Sequence, residues 1–218
     1  MMKRPSHTLT MKKAGRSRDR LATADGILRA VGTLIARDGF MALGINAIAR
    51  EAGVDKVLIY RYFGGMPELL RAFGESEEFW PQASEMLGED IEALMSMSLA
   101  ESVALVLINF ARALKRRPLT LEIMAWEMVE QNELTEVLRK VREDVAIRVF
   151  NEFGAKLVDA DVAALTTLLS AAVSYLLLRS RDTEVYNTVD IRSDKGWERI
   201  ERAITVICRQ CLLPGRKG

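Results

Sequence analysis

Apolar residues recur at helical spacing through most of the chain, and no strand-like alternation is sustained beyond Glu75. Ile27, Leu28, Val31, Leu34 and Ile35 fall at i, i+1, i+4, i+7 and i+8, one wide stripe that predicts a first helix over 23–38. Gly39 supplies a left-handed stop, and Phe40 can fold back onto Ile35. Ile45, Ile48, Ala49 and Ala52 form a second, shorter face. Gly53 follows where that helix must end, with Val54 as the apolar plug of the turn. Asp55 suits the N-cap of a third helix over 56–62, because its carboxylate can accept from the orphan amides of the first turn. Ile59 and Phe63, four apart, give this third helix its buried side. At about two turns it is marginal alone and must be held by its neighbours.

The rest of the chain reads as further helices. Gly64-Gly65 breaks the chain, and Pro67 with Glu68 suits the start of a helix that turns Leu69, Leu70 and Phe73 inward. Helical segments are predicted at 83–95, 98–116, 118–131, 133–153, 160–180 and 194–212, punctuated by Arg117-Pro118, Gly154 and residues 181–193. The stretch 162–178 is apolar nearly all round. Leu165, Leu169, Ala172 and Leu176 lie on one seam with Val162, while Leu168, Ala171, Tyr175 and Leu178 lie on another, so both faces need cover. The last helix sets Trp197, Ile200, Ile204 and Ile207 at spacings of three and four. Two such helices per chain can pack with their symmetry mates as a four-helix bundle.

The pair of short helices around Gly53 is what a helix-turn-helix needs: a small residue, Ala49, where the helices cross, a glycine free to take a positive backbone angle, and a buried Ile59. Lys56, Val57, Leu58, Tyr60, Arg61 and Tyr62 are left as a mixed cationic, aromatic and apolar surface. The string AIAREAGVDKVLIYRYFGGMPELL, with its AGV turn, Ile-Tyr-x-Tyr-Phe run and Pro-Glu-Leu-Leu helix start, resembles the DNA-binding domain of the tetracycline-repressor (TetR) family of bacterial regulators. The resemblance covers 21–73; beyond it only length and helical character match.

That resemblance implies an all-α protein: a basic arm at 1–20, a three-helix DNA-binding domain at 21–66, and a larger helical ligand-binding and dimerisation domain at 67–218. It implies that Lys56, Tyr60, Arg61 and Tyr62 engage phosphates and base edges in the major groove, that Val57 and Leu58 meet thymine methyl groups, and that Asn46 reaches in from the preceding helix. The helix after Pro67 would be a lever shared by two cores. The apolar seams of the last two helices would be the dimer interface. Three positions depart from the family pattern. Met66 replaces a usual phosphate-binding lysine, Val57 a common glycine, and Gly44 or Ile45 the usual Ser/Thr cap.

Charge sharpens this picture. The chain of 218 residues carries 31 Lys and Arg against 30 Asp and Glu, yet residues 1–73 hold 13 against 6 and the remainder 18 against 24. A basic front on an acidic body suits a polyanion partner for the front alone. In the arm, Lys3, Arg4, Lys12, Lys13, Arg16, Arg18 and Arg20 suit phosphate or minor-groove contact as well as they suit a solvated tail. Only two cysteines, Cys208 and Cys211, are present, which fits a reducing cytoplasm. No apolar leader follows the basic start, and 162–178, interrupted by Thr166, Thr167, Ser170 and Ser174, is expected to be a buried helix rather than a membrane span.

Enzymatic chemistry finds little to work with. The one histidine, His7, lies in the arm, so the body lacks a histidine base or zinc ligand. Cys208-Arg-Gln-Cys211 has redox spacing but sits late in an amphipathic helix, where packed thiols are the better reading. No catalytic site, metal or cofactor is expected. Trp80, Met95, Phe110, Met124, Trp126, Met128 and Tyr175, with Phe79, Met86 and Met97, concentrate aromatic and thioether groups suited to an adaptable apolar cavity. The expectation is a cytoplasmic homodimeric regulator, a repressor released from a palindromic operator on double-stranded DNA by a small hydrophobic ligand. Two alternatives stay open: a constitutive or architectural DNA-binding protein without an effector, and a helical carrier or enzyme for hydrophobic molecules.

Overall fold

The computed structural model describes residues 8–153 and 160–212, with side chains over 20–152 and 162–212. Helix α1 (Thr8–Asp38) leads through a single 3-10 turn at Phe40–Ala42 to α2 (Ile45–Ala52), α3 (Lys56–Phe63) and α4 (Met66–Gly74). The body follows as α5 (Ala83–Leu87), α6 (Ile91–Ser96), α7 (Leu99–Lys115), α8 (Pro118–Glu127), α9 (Glu133–Phe153), α10 (Ala160–Arg179) and α11 (Asp194–Cys211). Between α10 and α11 a short hairpin pairs β1 (Val185–Tyr186) with β2 (Val189–Asp190), Val185 opposite Asp190. The all-α fold expected from the periodicity is what the chain adopts, apart from this hairpin.

Three differences from the expected elements have physical causes. First, α1 begins at Thr8, so residues 8–20 are helical rather than a flexible arm; residues 1–7, with His7, lie outside the described residues. The segment from Met11 to Leu21 lacks proline and carries two lysines and three arginines, which are good helix formers, and extending a helix already nucleated over 23–38 costs little. Second, the helix expected over 83–95 is split at Gly88, whose φ of 84° ends α5, and Asp90 caps α6 by accepting from Ala93 N at 2.8 Å. Third, the hairpin turns through Asn187 and Thr188, both at positive φ (44° and 66°), the geometry of a two-residue primed turn without a glycine to advertise it.

One continuous core runs from the front of the molecule into the body. Ile27, Val31, Ile35, Ile48 and Ile59 close the small front cluster, all fully buried. Helix α1 packs on α2 and α4 with one side and on α8 with another; α4 packs on α3 and α1 and also along α9. The two long contacts α1–α8 and α4–α9 therefore join front to body. In the body, α7 is the central rod, flanked by α5, α8, α10 and α11. It is launched by a capping box in which Ser98 Oγ accepts from Glu101 N and the Glu101 side chain returns to Ser98.

Helix α10 contains 18 residues, Val162–Arg179, long and apolar enough to cross a membrane by length and composition. It is not the buried helix expected. Val162, Val173 and Leu177 are buried, whereas Leu168 is 70% exposed and Tyr175 47% exposed, with Ala171 and Ala172 open beside them. Of the residues expected at the dimer seam, Ala172 and Ile207 are exposed, whereas others are covered by the protomer itself. Trp197 and Ile204 are buried within the protomer, where α11 lies against α7, and Trp197 Nε1 donates to Ile191 O at 2.8 Å. Leu169, Leu176 and Ile200 also pack onto this core, and Leu165 is half-buried. The helical line with the strongest apolar residues therefore serves the protomer itself. The line left open is offset: Leu168, Ala172 and Tyr175 on α10, and Ala203, Val206 and Ile207 on α11.

Candidate functional site

Helix α3 is held by local chemistry. Gly53 closes α2 at φ 64°, its neighbour Val54 donates to Ala49 O at 2.9 Å, and Asp55 caps α3 by accepting from Val57 N at 2.8 Å. Gly64, at φ 94°, ends α3 by donating to Tyr60 O at 2.9 Å. Within that frame only Ile59 is fully buried, so it pins the helix to the small core. Lys56, Val57, Tyr60 and Arg61 point into solvent, Val57 at 61% and Tyr60 at 53% exposure, a cost that plain packing gives no reason to bear. Asn46, in the first turn of α2, is exposed too.

Two of the expected contact residues sit differently. Leu58 is half-buried. Tyr62 packs against the core edge, with the Arg61 guanidinium 5.0 Å and the Arg20 guanidinium 5.4 Å from its ring centroid. Arg61 also donates to the Tyr62 hydroxyl at 3.2 Å. Tyr62 is thus a platform holding two cations at the edge of the face rather than part of the outward row. Arg20 joins the face in this way, although in the sequence it was only one residue of a basic run. Met66, where the family pattern has lysine, is half-buried against the core.

A short rod, exposed on one side, capped and propped outward by two other helices through a tight glycine turn, defines a helix-turn-helix DNA-binding protein. Residues 27–73 match the family model described as bacterial regulatory proteins, tetR family. Residues 27–73 thus carry a DNA-binding domain of the kind found in TetR-family transcriptional regulators.

Solved structures share the fold over nearly the whole chain. The Pseudomonas aeruginosa protein NalD, secondary repressor of the MexAB-OprM multidrug efflux pump, is 17% identical with a TM-score of 0.63, covering 91% of this chain and 100% of its own. A TetR family transcription regulator from Marinobacter aquaeolei is 16% identical with a TM-score of 0.59, covering 88% of this chain and 97% of its own. Bacillus subtilis FadR, solved in complex with stearoyl-CoA, is 16% identical with a TM-score of 0.57, covering 84% of this chain and 96% of its own. No curated protein matches the chain.

The body contains a cavity of about 480 Å³. Trp80, Met86, Val103, Val106, Leu107, Phe110 and Met124 line it from the α5, α7 and α8 side, while Arg139, Arg142, Glu143, Ala146, Val149 and Phe150 come from α9 and Thr166, Thr167, Ser170, Ala171 and Ser174 from α10. Of the expected ligand residues, Trp80, Phe110 and Met124 meet here. Met95, Trp126, Met128 and Tyr175 do not. Met95 lies half-buried on α6, Met128 is exposed beyond α8, and the Tyr175 ring meets Tyr186 edge-on at 5.9 Å. Residue type drew these together in the sequence; helix phase separates them in space. The polar wall on α9 and α10 went unforeseen, since charges and hydroxyls at helical spacing are as common on solvated faces.

Trp126 does something else. Its Nε1 donates to Ala36 O at 3.3 Å, and two residues beyond α8's neighbour Met128 the Glu130 carboxylate accepts from Met41 N at 3.1 Å. One short stretch therefore touches the cavity at Met124, the end of α1 at Ala36 and the 3-10 turn after it at Met41. Next to it, Glu127 holds Arg142 of the cavity wall through a two-pronged pair at 2.8 and 2.6 Å. Burial pushes the Glu127 carboxyl above its usual range, and the Arg142 guanidinium opposes that rise.

Proposed function

We propose that the protein is a homodimeric repressor that leaves a palindromic operator when a small hydrophobic molecule enters the body. Lys56, Val57, Tyr60 and Arg61 enter the major groove, with Leu58 and Asn46 at its flanks and the Arg20–Tyr62–Arg61 stack against the phosphate backbone. The observation that carries this reading is the exposed row on α3, held rigidly by a buried Ile59 and an Asp55 cap. Residues 21–66 form the DNA-binding unit and 67–218 the sensing and dimerising body, with α4 in contact with both. The open apolar line of α10 and α11 faces a second copy. The dimer spaces its two α3 helices by roughly 34 Å, one turn of duplex. A regulator of this kind works in the cytoplasm, where the chromosome lies, and uses no catalytic residue.

The stretch from Met124 to Glu130 supports the ligand response, because a shift of the cavity wall reaches Ala36 and Met41 without an intermediary. Release follows if the ligand binds the DNA-incompetent arrangement more tightly than the other. Selection of bound duplexes from a random DNA pool tests the proposal. It predicts an inverted repeat with half-sites about one helical turn apart; a pool that gains no common sequence rejects it.

A further inference from the structure

We propose that the cavity takes an uncharged, largely apolar molecule carrying one or two O–H or N–H donors, and discriminates against anions and cations of the same shape. This rests on the reading that the cavity holds the effector, and it concerns which chemistry fits there.

The apolar walls set by Trp80, Phe110, Met124 and Val149 suit a hydrocarbon or aromatic body. Three charged side chains also face the cavity, Arg139, Arg142 and Glu143, and all are taken. Arg142 gives both terminal nitrogens to Glu127 and lies 5.5 Å from the Trp80 ring centroid. Arg139 is forked onto Glu136, with Nε at 2.7 Å, and its remaining terminal nitrogen reaches Glu143. Two guanidiniums thus face three carboxylates, and the Lys140 ammonium, 3.8 Å from Glu136, is the third cation that balances them. An anionic head group must compete with carboxylates that already neutralise both guanidiniums. An ammonium must strip a carboxylate from its arginine. At the Arg142–Glu127 pair, the more buried of these, either leaves a charge without its partner, whereas the half-exposed Arg139 pairs are less costly to disturb.

The hydroxyls on α10 supply the positive side of the argument. Thr166 donates to Val162 O at 2.9 Å, Thr167 to Ala163 O at 2.8 Å and Ser170 to Thr167 O at 3.1 Å. Their protons are spent on their own helix, and what remains at the wall is oxygen lone pairs. A row of acceptors along the α10 side of the cavity calls for a donor on the ligand.

Calorimetric titration of the full-length protein with 1-decanol, decanoate and decylammonium, at one near-neutral pH, compares the three chemistries on one chain length. Decanol is expected to bind at least roughly tenfold more tightly than either ion. A variant with Thr166→Val and Ser170→Ala, melting as the parent does, is expected to lose several-fold in decanol affinity while leaving decanoate unchanged. Equal or tighter binding of decanoate or decylammonium overturns the inference, as does binding of none of the three. Operator affinity is read separately: decanol that binds but leaves it unchanged removes the effector role and keeps the ligand class.

Discussion

At the scale of single residues, the folded chain depends on a few positions whose neighbours leave no choice. A β-carbon added at Gly196 would stand 1.5 Å from the carbonyl oxygen of Asp190, where the hairpin meets the first turn of α11. Because the obstacle is backbone, no rotamer relieves it. Gly196→Ala is expected to destabilise the protein by about 3 kcal/mol or more, a drop of roughly 6–12 °C in a thermal melt; an unchanged melt would mean that the hairpin and α11 do not meet this way. Asp55→Ala removes the α3 cap and should cost about 1 kcal/mol, with a matching loss in operator binding if α3 frays. The turn around Gly53 and Asp55 was legible in the sequence because its chemistry is local, a positive φ and a side chain reaching two residues on. Gly196 was not. Its constraint comes from a residue on a strand that itself gave no alternating signal.

At the scale of elements, pairs of helices are tied by a handful of charged contacts whose energy depends on pH. Arg117, nearly buried, donates to Glu77 O at 3.0 and 2.7 Å and to Glu85 at 2.5 Å, fastening α5 and the chain before it to the start of α8. Burial works against the Glu85 charge, but hydrogen bonds from the Arg117 side chain and the Gln82 amide outweigh it, so the carboxyl lies below its usual range. The native state therefore binds fewer protons than the unfolded one there. Its contribution is fully present above the ordinary carboxylate range and fades as pH falls through it. Glu85→Gln should accordingly lower stability at neutral pH and narrow the difference from the parent in acid, read by urea melts at the two pH values; a constant difference would show that the pair does not act through ionisation. Helix bounds were readable for several elements because helical spacing and its punctuation survive in sequence, as the expected 133–153 and 194–212 illustrate against the observed Glu133–Phe153 and Asp194–Cys211. Which of two apolar stripes faces inward was not, and Trp197 shows why. Aromatic bulk at the right spacing marks a face as buried without saying by what.

At the scale of the whole molecule, α10 and α11 leave an apolar line that one protomer does not cover. Introducing Leu168→Arg together with Val206→Arg should yield monomers in light-scattering chromatography with the protomer's fold intact by circular dichroism, whereas Trp197→Ala should destabilise the protomer by about 3–5 kcal/mol. A double variant that stays dimeric would place the interface elsewhere. In the proposed dimer, two-fold symmetry carries the two α3 faces to one duplex, and it is that face on which the proposal depends. The most direct measurement is a fluorescence-anisotropy titration of the selected operator with parent, Tyr60→Ala and Arg61→Ala proteins over a series of salt concentrations. The outward row on α3 predicts that Tyr60→Ala weakens specific binding by about 1–3 kcal/mol and that Arg61→Ala lowers the slope of affinity against salt by about 1. Parent-like affinity and slope in both variants would contradict it.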